Sequence, residues 1–289
     1  MYLIRIFDVN KLRSTTRSVK KRELRMFHLA HLNFMDVDRL SKSGRTVIVV
    51  PIGSVEEHGP HLPLGLDTFA AEVYAEEIAP HLEQQGFEVI LAPSIYYGVA
   101  QQALGFPGTL TVKPDTLRSL LIDVGSSLSS HGFKRLVMLN GHRDLEHMGA
   151  ISRAVESLNA SGLDVVSVGF VSDSKITAVC FRQGMDGISR STRPEMEGHA
   201  GEWETSLALH SFPELVDGEI AQSLQPNVSY DLDAFRAESV NYQILSNGTG
   251  YFGSPGVATT ETGRRLLAIR GRNMAEIILK AFTPEEKRK

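Results

Sequence analysis

Residues 46–68 read TVIVVPIGSVEEHGPHLPLGLDT. The first five, Thr46–Val50, form a short, β-branched, uninterrupted apolar run, which suits a strand buried on both faces of a parallel sheet. The run leads into a Gly/Pro-punctuated loop that packs Glu56, Glu57, His58, His61 and Asp67 into a dozen positions. An open α/β sheet places its chemistry at the carboxyl ends of its strands, so acids and imidazoles directly after a buried strand point to an enzyme.

Outward from this stretch, strand-like and helical runs alternate. Thr46–Pro51, Glu88–Pro93, Arg135–Asn140 and Asp164–Phe170 read as strands. Between them, Thr68–Gln85, Pro114–His131 and Leu145–Leu158 read as helices, and Glu261–Phe282 as a closing helix. This interleaving predicts βαβ units, and so an α/β fold with a mostly parallel central sheet. Residues 171–198 and 222–258 are rich in Gly, Ser, Asp and Pro with weak periodicity, and are expected to be long functional loops. With no sharp composition break and no internal repeat, one domain is expected over 26–289.

Composition narrows the function classes. The chain has 289 residues, 42% hydrophobic and 22% charged, as in an ordinary globular protein. A net charge of −4 gives no electrostatic case for nucleic acid or an anionic membrane surface. No apolar run approaches the roughly 18–20 residues that span a bilayer. The single cysteine, Cys180, excludes an intrachain disulfide and reads as a small core residue. Residues 1–25 are basic, with eight Lys/Arg from Arg5 to Arg25 against Asp8 and Glu23. They lack the apolar segment of a secretory signal. They are expected to be a disordered tail or to precede a natural start at Met26, with an organellar transit peptide as the alternative. The expected location is cytoplasmic.

Three clusters carry chemistry. In the first, Glu56 and His58 are two apart, so an extended segment points both the same way. Asp67 comes immediately before a helix, where taken singly it reads equally well as a cap. The second is Asn140-Gly-His142-Arg143-Asp144 at the end of the third strand. If the strands run parallel, it puts His142 on the same edge as His58, and Gly141 is expected to let the backbone turn sharply. The third is His199-Ala-Gly-Glu202-Trp203-Glu204-Thr-Ser206, opening a helix over 202–210, where Glu202 could simply favour the helix N-terminus. Imidazoles and carboxylates without thiolates suit Zn, Mn or Fe. The carboxylates suffice to bridge two ions that activate a water, and a further His could protonate a leaving group.

Together these clusters resemble the creatininase (creatinine amidohydrolase) family. The matching segments are Gly53–Asp67, Asn140–His142 and His199–Ser206, in the family's order, with Phe106-Pro-Gly-Thr109 and Gly256–Gly263 in support. The resemblance covers about Met35 to Ala281. It implies a single-domain three-layer α/β sandwich, a dinuclear centre of two divalent ions, and a homo-oligomer, a hexamer by family habit. By position, Glu56 and His142 would hold one ion and His58 the other, with Asp67 bridging. Asp144 stands where creatininases carry a Glu that completes the second ion's ligands. Glu204 matches the acid near the metals and His199 the proton shuttle.

The departures concern substrate. Glu195 and Met196 replace a Trp-Asp pair, Arg143 replaces an aromatic residue, and Ala100-Gln-Gln-Ala103 replaces a Ser-x-Glu-His segment. These changes argue against creatinine itself. The expected activity is metal-dependent hydrolysis of an amide, cyclic amide or formamide C–N bond of a small molecule. Alternatives are C–C cleavage in a cyclic polyol-derived diketone such as a dehydro-inosose, and a non-catalytic metal-binding protein. Arg143, Glu195 and Trp203 are the candidate substrate contacts. Arg143 could instead pair with Asp144 or Glu146, and Trp203 could instead belong to the core.

Overall fold

The computed structural model describes residues 26–283. The basic segment 1–25 and the charged tail from Glu285 fall outside the described residues. Five parallel strands form one sheet in the order β1-β3-β2-β4-β5: β1 (Phe27–His28), β2 (Thr46–Ile52), β3 (Glu88–Leu91), β4 (Arg135–Asn140) and β5 (Asp164–Gly169). The predicted strands are all present, trimmed or extended by a residue or two. The two-residue β1 carries too little pattern to be seen in sequence.

All seven residues of β2 are buried, as its uninterrupted apolar run requires. Alternation sends its side chains to opposite faces. Val47 and Val49 join one core with α2 (Leu66–Gln84), α5 (Ser174–Arg182) and α10 (Thr260–Phe282), and Cys180 is buried there. Ile48, Val50 and Ile52 join a second core with α1 (Phe34–Ser41), α3 (Pro114–Ser130) and α4 (Leu145–Ala160). Each fully buried Ile or Leu contributes roughly 1.5–3 kcal/mol of transfer free energy. The sheet is therefore the middle of three layers.

Two of the expected loops are corrected. Segment 171–198 contains α5, and 222–258 contains α8 (Leu232–Ala237) and α9 (Tyr242–Leu245), with α6 (Glu202–Ser211) and α7 (Gly218–Ser223) in between. Both α8 and α9 are too short to show a period, and each is started by an Asx cap, Asp231 for α8 and Asn241 for α9. Among the described residues, no helix is long and apolar enough to cross a membrane.

After β2 the chain moves to β3 on one side, then returns past β2 to β4 on the other, so the switch point of the sheet lies at β2. Ile52 and Asn140 are register partners at the ends of β2 and β4. The first two chemical clusters leave the sheet side by side from this point.

Candidate metal centre and adjoining cavity

The loop after β2 is closed by Glu56 N donating to Leu64 O at 2.9 Å, and it returns directly into α2. Asp67 is not a cap. Gly65 is the N-cap residue, and Asp67 sits in the first helical turn with its side chain turned to the loop. Ser54 Oγ donates to Asp67 Oδ2 at 2.7 Å. The β4 loop is shaped by Asn140, whose Oδ1 accepts from His142 N and whose Nδ2 donates to His142 O and Phe170 O. Gly141 is required for a reason other than a turn. A Cβ there would collide with the carbonyl oxygen of Asp67, so the two loops touch backbone to backbone.

Three imidazoles converge on the carboxylates. His58 Nε2 is 3.3 Å from Asp67 Oδ1 and 3.9 Å from both Glu56 Oε1 and Glu204 Oε2. His142 Nδ1 is 2.9 Å from Asp67 Oδ2 and 3.4 Å from Glu56 Oε1, and His199 Nδ1 is 3.5 Å from Glu56 Oε1. The opposite nitrogen of each ring donates to a main-chain carbonyl: His58 Nδ1 to Glu56 O, His142 Nε2 to Val99 O, and His199 Nε2 to Glu57 O, at 3.1, 2.7 and 2.7 Å. With the outer nitrogen protonated, each inner nitrogen presents a lone pair to carboxylate oxygens, an arrangement that needs positive charge between them. His58 Nε2 is buried without a hydrogen-bond partner. Glu56, His58 and His199 form one group whose ligand atoms fit around an ion, and Glu56, Asp67 and His142 form another.

The electrostatics carry the same demand. Burial opposes charge on His58, yet Asp67, Glu204 and Glu56 raise its pKa to about 10. His142 is likewise raised against its burial by Glu56 and Asp67. Asp67 is held well below the carboxylate range, against burial, by His58 and His142. Buried acids in this number are satisfied by protons on the rings or by metal ions, and the donor set fits divalent ions that take nitrogen and oxygen.

The other expected residues fall around this centre. Asp144 is buried and caps α4, its Oδ1 accepting from His147 N at 2.8 Å, and it belongs to neither ligand group. Glu204 Oε2 also accepts from Ala200 N at 2.6 Å. That bond steadies a left-handed Ala200, φ 54°, next to His199. Glu202 points elsewhere, accepting from Ser189 Oγ and from the N–H groups of Arg190 and Ser191, so it anchors the 189–191 segment. His61, a bystander in sequence, is pinned to Thr205 Oγ1 at 2.8 Å and is held neutral, its pKa lowered to about 4 by burial and by His58 and His199. His147 donates to Asn140 Oδ1 and accepts from Val99 N, buttressing His142 edge-on.

Beside the candidate ligand groups opens a cavity of about 430 Å³, lined by Glu56, Asp67, His199 and Glu204 and by Arg143, Glu195 and Trp203. Arg143 pairs with neither Asp144 nor Glu146. It reaches Glu238 at 3.5 Å and Arg236 O at 3.0 Å and lies over the Phe235 ring. Glu195 is exposed at the rim and paired with Arg193. Trp203 is half-buried against Met185, Ile188 and Leu266 and also faces the cavity. Sequence reading missed Tyr242, whose ring lies 4.7 Å from that of His199, and the cavity arginines Arg182, Arg236 and Arg270. All four come from segments without a motif, and only packing brings them here.

The family model described as Creatininase, creatinine amidohydrolase, matches residues 30–278. The mycofactocin precursor peptide peptidase of Mycobacterium tuberculosis (strain ATCC 25618 / H37Rv) is 33% identical over 228 residues, covering 76% of this chain and 80% of that protein. The creatinine amidohydrolase of Pseudomonas putida is 25% identical over 269 residues, covering 89% and 97%. A solved structure described as Creatininase Mn superposes with a TM-score of 0.67 at 25% identity, covering 90% of this chain and 100% of that one.

Proposed function

This chain belongs to the creatininase family of hydrolases, and from that premise we propose that it cleaves an amide C–N bond in a small molecule other than creatinine, using two divalent ions. The observation that carries this is the set of three imidazoles, each donating outward to a main-chain carbonyl and turning a lone pair towards Glu56 and Asp67. Glu56, Asp67 and His142 would hold one ion, and His58 with Asp67 the other, while Asp144 stays at the start of α4. Ions bound there supply Lewis-acid polarisation of the substrate carbonyl and lower the pKa of an attacking water.

The remaining residues bind, orient and move protons. Ser54 fixes the rotamer of Asp67 through its hydroxyl. His199 is the proton carrier: its Nδ1 faces the ligand cluster, and Nε2–H on Glu57 O keeps the ring in register to protonate the departing nitrogen. Glu204 holds the Ala200 turn that presents His199. Trp203, Arg143 and Glu195 shape the cavity beside the reacting bond. The relative named as a peptidase supports an amide, and the rewritten 195–196 and 143 positions support a substrate unlike creatinine.

The test combines metal analysis with a hydrolysis panel of linear amides, cyclic amides, formamides and a cyclic diketone. Two equivalents of metal with chelator-sensitive amide or formamide turnover is the expected result. A protein that carries its metals yet turns over no member of the panel overturns the hydrolase mechanism, and turnover of the diketone alone moves the reaction to a C–C bond.

A further inference from the structure

One part of the cavity wall plays no role in holding metal. Arg182 at the end of α5, Arg236 on α8 and Arg270 on α10 line it together with Trp203 and Phe181. Arg270 is only 4% exposed. Its guanidinium lies 5.0 Å from the Phe181 ring and 5.2 Å from the Trp203 ring, and Arg182 stands over the same indole at 6.0 Å. Among the described residues, Arg182, Arg236 and Arg270 make no ion pair with any carboxylate. Arg270 makes one side-chain hydrogen bond, from Nη1 to the Tyr74 hydroxyl at 3.1 Å.

A guanidinium stays charged at any pH a protein survives, and a buried unpaired charge is strongly unfavourable. The acids of the cavity do not answer it. Glu195 is taken by Arg193, Glu197 by the N–H groups of Glu202 and Ser254, Glu204 by Ala200 N, and Glu56 and Asp67 face the rings of His58, His142 and His199. Outside the lining, Glu238 is taken by Arg143 and Leu145 N. Two buried donors on this wall, Arg270 Nε and Trp203 Nε1, have no acceptor. Burial, then the charges of Arg236, Arg270 and Arg143, holds the Arg182 guanidinium below its usual value, so these cations act on one another.

We propose that this arginine–tryptophan wall binds an oxyanion, a carboxylate or a phosphate, carried by the substrate whose amide is cut at the metal centre. Arg270 and Trp203 supply the inward donors, Arg182 and Arg236 close over the anion, and the Phe181 and Trp203 rings hold the apolar part beside it. The inference rests on the amide-hydrolase reading and adds the class of substrate: an acidic amide.

The test is calorimetric titration of the metal-loaded protein with phenylacetate, phenyl phosphate and neutral phenylacetamide. At least one anion is expected to bind tenfold or more tightly than phenylacetamide, and which one does so separates a carboxylate substrate from a phosphate. Arg182→Gln and Arg270→Met should each weaken that anion at least tenfold with metal content unchanged. Arg270→Met should also melt no lower than the wild type without ligand, because it removes a buried unpaired charge. Equal binding of all three probes, or anion affinity that survives in both variants, overturns the proposal. So does anion affinity unchanged in Arg182→Gln while Arg270→Met unfolds, since Arg270 would then be structural. Titration needs no turnover, so the two readings fail separately. Anion binding without any amide hydrolysis sinks the hydrolase mechanism alone, and amide hydrolysis without anion preference sinks this inference alone.

Discussion

Asp67 gives one oxygen to each of two rings: its Oδ1 lies 3.3 Å from His58 Nε2 and its Oδ2 lies 2.9 Å from His142 Nδ1. No other acid in the cluster is shared in this way at such short range. Replacing Asp67 by Ala should therefore remove both ions rather than one, and lower hydrolysis by at least about 10²-fold. Metal analysis of Asp67→Ala checks this. Full metal content in that variant would sink the bridging role.

His199 differs from Asp67 in what it should do when removed. As a proton carrier, His199→Ala should keep its metals and lose about 10²–10⁴-fold in kcat. The decisive measurement pairs metal content with a pH–rate profile. Loss of an ion in His199→Ala would instead make it a ligand through Nδ1, which stands 3.5 Å from Glu56 Oε1.

Gly141 tests the contact between the two loops. Its missing Cβ is the space occupied by the Asp67 carbonyl oxygen. Gly141→Ala should cost about 2 kcal/mol of stability by overpacking and reduce activity as α2 and Asp67 are pushed away. Chemical denaturation alongside a kinetic assay reads both effects. An alanine variant of normal stability and activity would contradict the close approach.

His61 should make stability sensitive to acid. Folding lowers its pKa from the ordinary 6.5 to about 4, burial being the largest cause. The folded state thus binds fewer protons than the unfolded one. The neutral ring's contribution is complete above pH 6.5 and is lost as pH falls towards 4, about 3 kcal/mol in all. The stability difference between wild type and His61→Asn should shrink or reverse from pH 7 to pH 4.5. A difference that widens on acidification would refute the assignment.

Much of the site is legible in the sequence alone. The β-branched run of β2 and the RLVMLN of β4 announce buried parallel strands, and the clusters directly after them announce a meeting of acids and imidazoles, because strand ends are where such residues converge. The cavity wall is not legible. Arg270 occupies one turn of an ordinary closing helix and Tyr242 a four-residue helix in a Gly- and Ser-rich segment. Nothing local distinguishes them from surface residues, since their position depends on how α5, α9 and α10 pack. Asp144 illustrates a subtler limit. Sequence shows a carboxylate at the right distance from His142, and only the structure shows that one of its oxygens is committed to the start of α4.

The outward hydrogen bonds of His58, His142 and His199 run to the peptide carbonyls of Glu56, Val99 and Glu57, and His199 Nε2 also lies 3.4 Å from the Glu57 carboxylate. A carbonyl oxygen survives the replacement of any side chain. An alanine at Val99 would therefore leave the carbonyl that aims His142 in place, whereas alanine at His147 or Glu57 would remove the side-chain support of His142 or His199. Insertions, deletions or prolines that reroute the 53–65 or 96–100 main chain are the changes able to turn the rings. The centre should accordingly tolerate wide drift in the amino acids around it while remaining sensitive to the length of the loops that carry it.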